Sequence, residues 1–193
     1  MTSDPTPDPL DGPPQDGSEI DTLVGALERN RRTFAWKCSG LDADSMRRTV
    51  GASTITLGGL LKHLALVEDE YLTHQLTGAD GLTAPFDQVD FDAEPDWEWR
   101  TAADDSPEEL LGLWEDCVAR SRRHLAAAYA GGPDALSALT WGDGTPPSVR
   151  RLVVDLVEEY ARHTGHADLI RESIDGLGGE GLPSTPAKET TYE

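Results

Sequence analysis

Basic residues are scarce in this chain. Sixteen Lys and Arg stand against 36 Asp and Glu, a formal net charge of −20 over 193 residues. Such a surface repels phosphate backbones and anionic headgroups, which argues against a nucleic-acid partner or an acidic membrane. Long apolar runs are missing too, since nothing approaches the roughly 20 consecutive residues that span a bilayer. The acidic, Pro-rich N-terminus has no basic segment followed by an apolar one, so no secretory signal is expected. Cysteine is limited to Cys38 and Cys117, far apart and each within an apolar helical pattern. They read as buried free thiols rather than as a disulfide or a nucleophile. Strand signals are weak throughout, and no internal repeat is visible. What remains is a cytoplasmic, helical protein of one domain, long enough to bury a core.

Residues 1–17 (MTSDPTPDPLDGPPQDG) are rich in Pro, Asp and Gly and read as a disordered arm. A flexible tail is expected over 177–193, and the helical bundle over 18–176. Four helical patterns fill the bundle. The first runs from an N-cap at Ser18 to about Cys38, with Gly40 beyond it. The second comes after Thr56 and ends near Leu76. The third opens on Ser106-Pro107-Glu108-Glu109, an N-cap, a Pro at N1 and a capping-box Glu in succession. The fourth begins near Ser148 and stops before Gly176. The pattern predicts a four-helix bundle. The connection over 78–105 is long for a compact domain and contains Trp97 and Trp99, which either plug the bundle end or act as a lid.

The fourth helix carries the chemistry. Leu152, Leu156, Glu159, His163, His166 and Ile170 are spaced four, three, four, three and four residues apart, so they share one face. The stripe starts and ends apolar and should face the core, yet its middle is a carboxylate and two imidazoles. Such groups are costly to bury unless something satisfies them, and a metal ion would do so. His63, on the second helix among Leu60, Leu64 and Val67, is a further nitrogen donor. Imidazole and carboxylate suit zinc, nickel and other divalent ions. The remaining polar residues read more plainly: His74 and His124 as surface histidines, Glu68, Asp69 and Glu70 as a solvated edge, Tyr71 and Tyr160 as core aromatics, Arg162 and Arg171 as exposed helix arginines.

The segments LGGLLKHLALVEDEYL and LVEEYARHTGHADLIRE resemble the two signature segments of the DinB/YfiT-like superfamily. More narrowly, they resemble its small actinobacterial DinB-type branch, often labelled mini-circle proteins. The resemblance covers roughly residues 18–176. It implies an all-α four-helix bundle holding a divalent metal through one histidine of the second helix and two ligands of the last. His163 matches the second histidine of the family's His-x-x-x-His, and Glu159 falls where the first would be. The mycothiol-dependent maleylpyruvate isomerase branch similarly has Glu there, which implies a His63, Glu159, His163 triad. His166 stands where relatives often carry Gln, and it remains either a competing ligand or an outer hydrogen-bonding group. Asp155, one turn before Glu159, stands where relatives often carry His.

The resemblance also implies an activity. Characterised relatives hold a low-molecular-weight thiol as thiolate on the metal and direct it at a small electrophile, as S-transferases or isomerases. Mycothiol is the implied co-substrate, and a homodimer is compatible with the pattern. Two other readings stay open: a non-catalytic metal-binding or stress-response protein, and a hydrolase using metal-bound hydroxide.

Overall fold

The computed structural model describes residues 12–132 and 134–179. The expected arm and tail therefore lie mostly outside the described residues. Residues 12–17 are described, and Pro13 sits tightly over Gly25, where a Cβ would meet its Cα at 2.7 Å.

Among the described residues six helices form and no strand does, apart from one isolated bridge between Leu136 and Ser148. They are α1 (Glu19–Cys38), α2 (Ala43–Met46), α3 (Leu57–Glu68), α4 (Trp97–Thr101), α5 (Pro107–Tyr129) and α6 (Val149–Asp175). The four long elements start where their caps direct. Ser18, Thr56, Ser106 and Ser148 each accept a backbone N–H from the first turn, and Ser18 and Ser106 complete reciprocal capping boxes. Gly176 closes α6 at φ +77, a conformation that side chains with a Cβ rarely adopt. The long helices make the expected bundle, with α1 packed on α6 and α3 on α5.

Helix α3 lies at the centre because it is apolar almost all round; Leu57, Leu60, Leu61, Leu64, Ala65, Leu66 and Val67 are all buried. The same helix continues past Glu68 as a π-helical stretch, Asp69–Gln75. A π turn takes an extra residue and so rotates the subsequent side chains about the helix axis. Nothing in the apolar periodicity signals it.

At this junction the sequence expectation fails. Glu68 and Asp69 are fully buried rather than a solvated edge. Arg31 grips Glu68 with two hydrogen bonds, Nε to Oε1 at 2.8 Å and Nη2 to Oε2 at 2.6 Å. Tyr160 also donates to Glu68 at 2.8 Å, and Trp114 donates to the Tyr160 hydroxyl at 2.8 Å. Burial and the Glu68 charge hold the Tyr160 hydroxyl well above the ordinary tyrosine range, so it stays a donor. Asp69 accepts from the Thr83 N–H, the Thr83 hydroxyl and Arg120, which pins the long α3–α5 connection to the bundle. Buried carboxylates are tolerable only with such partners.

Arg171 also departs from its expected exposure. It is buried and donates to the carbonyls of Lys37 and Ser39, tying α6 to the end of α1. His74 and His124 are half-buried rather than superficial, and each places Nδ1 against a backbone carbonyl, of Ala79 and Leu72 respectively. Tyr160 is a core aromatic as expected, while Tyr71 is half-buried at the edge.

Candidate metal centre

Helices α3 and α6 bring three of the four proposed ligand residues together. One ligand atom each from His63, Glu159 and His163 lies within 4.8 Å of the others. His63 Nε2 is 3.7 Å and His163 Nε2 is 3.2 Å from the same oxygen, Glu159 Oε2. Both imidazoles thus present Nε2 to one point, with a carboxylate completing the triangle. Glu159 and His163 share a face because they are one turn apart, and His63 reaches them because α3 packs directly against α6.

The centre of the α6 stripe sits nearer the bundle edge than its spacing suggests. Tyr160 and Ala167 occupy the deepest positions, whereas Glu159 and His166 are half-buried and His163 is buried. An edge site of this kind keeps access to solvent while backed by core. Burial and the nearby His63 push the His163 imidazole down to about 4, despite the opposing pull of Glu159. A neutral ring keeps a lone pair free for coordination.

His166 stands outside the triangle. Its Nδ1 is 3.3 Å from His163 Nδ1, so one ring donates to the other and His166 contacts the His163 ring on the side away from Nε2. Asp155 turns away toward Arg151, whose Nε reaches its two oxygens at 2.7 and 2.9 Å. Glu70 is exposed, as expected of a solvated edge, and partial desolvation of its carboxyl raises its pKa against the pull of His74 and His63.

The long connection supplies what the sequence reading missed. Helix α4 carries Glu98, buried, with Oε1 3.2 Å from His63 Nδ1. An ionised carboxylate only accepts, so the proton of a neutral His63 sits on Nδ1 and Nε2 is left with its lone pair toward the triangle. Trp99 stacks on the His63 ring at 4.6 Å between centroids, with 26° between the planes. Gly59 makes that stacking feasible, because a Cβ there would meet Trp99 Cε3 at 2.9 Å. Lys62 secures the arrangement by donating to Thr101 at 2.9 Å and Asp105 at 2.6 Å, with its ammonium over the Trp97 ring. Trp99 therefore forms a wall of this site, and Trp97 packs on Phe86 and Phe91 beside it. An acidic residue between two tryptophans in an overlong loop was the only available signal, and it does not specify a contact with His63.

Two recesses help orient the site. A cleft of about 630 Å³ between α1 and α5 contains none of these residues. A small, mostly apolar recess of about 100 Å³ lies directly beside His166, lined by Val50, Ser53, Ile55, Leu169 and Ile170. The thiols are elsewhere. Cys38 and Cys117 are free and buried, as expected, and burial raises both, Cys117 to about 12. Among the described residues no helix is long and apolar enough to cross a membrane.

Searches of curated proteins and of solved structures returned no match. Residues 22–176 match the Mycothiol-S-transferase family. That match covers well over half of the chain and contains every side chain of the centre. The chain is therefore a member of the mycothiol S-transferase family, a DinB/YfiT-like family.

Proposed function

We propose that this protein is a divalent-metal-dependent S-transferase that joins mycothiol to a small electrophile in the cytoplasm. The observation that carries the reading is the meeting of two Nε2 atoms and a carboxylate oxygen within 4.8 Å. The donor set fits zinc or nickel, and three protein ligands leave room for an exogenous group. A bound ion would supply Lewis acidity and lower the pKa of a coordinated thiol, so that the nucleophile exists at neutral pH.

The chain's own residues perform the rest. His63 and His163 offer neutral nitrogens, and Glu159 offers negative charge that offsets part of the ion's. Glu98 keeps the His63 proton on the far nitrogen, and Trp99 restrains the ring from tilting. In the transfer, the thiol proton passes to water, the sulfur forms a bond to the electrophilic carbon, and the bond from that carbon to the leaving group breaks, its electron pair departing with the leaving group. The apolar recess beside His166 suits the hydrocarbon part of a small electrophile, since it sits one ring away from the triangle. The cytoplasmic assignment agrees with two cysteines that are free and buried.

Glu98→Ala is expected to weaken divalent-metal affinity about tenfold or more, the usual worth of an outer partner of a ligating histidine. Competition with a chromophoric chelator measures this, and unchanged affinity would remove Glu98 from the site. For the activity, free thiol is followed against a panel of electrophiles, with and without chelator. Thiol consumption should require both metal and mycothiol, while Cys38→Ser and Cys117→Ser should each retain at least half of the wild-type rate. Consumption that survives chelation, or that disappears in either serine variant alone, would transfer the chemistry to a protein thiol. Hydrolysis of substrates without thiol consumption would favour a hydrolase.

A further inference from the structure

One aromatic side chain at this end of the molecule is unexplained by the transfer site itself. Trp141 is among the few large apolar residues left exposed, at 36 % of its surface. It is nevertheless held firmly. Its backbone N–H donates to the Thr145 carbonyl at 3.0 Å, and its carbonyl accepts from the Gly144 backbone N–H at 2.8 Å, which forms a tight turn. Just before it, Ala138 and Leu139 donate to the carbonyls of Leu76 and Gln75, docking the loop on the end of the α3 extension. The Arg151 guanidinium lies over the indole at 5.3 Å, and Arg151 is fixed in turn by Asp155.

Arg151, Asp155 and Glu159 succeed one another at four-residue steps on α6. Eight residues of helix rise about 12 Å, so the backbone of Arg151, whose guanidinium covers the indole, stands two turns before Glu159. Tyr71, from the π-helical stretch, is near enough to this stretch of α6 that, beside burial and Glu70, the charges of Asp155, Glu159 and Arg151 all act on its hydroxyl. The recess beside His166 lies on the opposite side of the triangle. Along α6 the order is thus aromatic platform, metal triangle, apolar recess.

We propose that Trp141, Arg151 and Asp155 form the subsite for the hydroxyl-rich ring portion of the thiol co-substrate. The inference rests on the thiol-transfer reading above and adds where the thiol's other end is held. Sugar-like rings present an apolar C–H face that packs on an indole, and hydroxyls that bond to planar charged groups at its rim. Arg151 is bonded through Nε, and 59 % of its side chain is exposed, so its outer N–H groups are available as donors. Asp155, its side chain 13 % exposed and both oxygens facing Arg151 Nε, holds the guanidinium in place. Glu70, Asp155 and Glu159 make the neighbourhood negative, which favours a neutral polyol over an anionic ligand.

The test is calorimetric titration of zinc-loaded protein with mycothiol and, separately, with N-acetylcysteine, which has the sulfur arm without the rings. Wild type should prefer mycothiol. Trp141→Ala should reduce that preference by about tenfold, the scale of one well-packed aromatic contact. Trp141→Phe, which keeps an aromatic face, should recover most of it, and this separates a lost platform from a misfolded loop. A preference that persists undiminished in both Trp141→Ala and Arg151→Ala overturns the subsite while leaving the transfer reading intact. If wild type binds neither thiol, the transfer reading fails and the subsite falls with it.

Discussion

Purified His63→Ala and His163→Ala proteins are expected to lose their divalent ion, with affinity falling by more than about a hundredfold. Outer hydrogen-bonding partners alone are typically worth roughly 10–100-fold, and these variants remove a coordinating nitrogen outright. Glu159→Gln should come close to them, because it replaces an anionic oxygen with a neutral one at the corner both Nε2 atoms approach. His166→Gln should change affinity by less than about tenfold, since His166 contacts His163 through Nδ1 and lies outside the triangle. Elemental analysis after dialysis against a weak chelator reads all four. Full metal content in both histidine variants would eliminate the site. A larger loss in His166→Gln than in Glu159→Gln would exchange their roles.

The largest stability effect is expected outside the triangle, at Glu68. Glu68→Ala leaves the Arg31 guanidinium buried without its bidentate partner and removes the acceptor of the Tyr160 hydroxyl. Breaking a buried pair from one side typically costs about 3–5 kcal/mol. In a domain of this size that corresponds to a melting temperature lower by roughly 10 °C. The double variant Arg31→Met, Glu68→Leu should recover much of the loss, because the penalty comes from a buried guanidinium left with Glu28 in place of its bidentate partner more than from the missing attraction. Thermal unfolding monitored by circular dichroism decides the matter. A single variant within about 1 °C of wild type would show that Glu28 or water suffices for the guanidinium.

Much of this molecule is local in origin. Each long helix begins at a Ser or Thr whose hydroxyl caps the first turn, and those residues are readable without any tertiary knowledge. The pairing of Glu159 with His163 comes from 3.6-residue periodicity alone. That His63 meets them is different, for helix periodicity cannot say which helices touch; the resemblance between segments supplied that expectation. Glu98 was invisible because its role depends on how a long connection folds back onto α3. Glu68 and Asp69 were misread for a related reason. A run of acidic residues on a helix is usually solvated, and here its inward orientation is compensated by Arg31, 37 positions away in the sequence, and by Thr83 and Arg120.

The sequence by itself determined the all-α class, the starts of the four long helices, the free state of both cysteines and the ligand-type stripe, because all of these arise from capping, periodicity and composition. Tertiary structure alone decided which face of α6 is deepest, how His63 is oriented, and which charges are buried. Those properties depend on contacts between residues distant in the chain, where a carboxylate or an imidazole is stable only if another element delivers its partner.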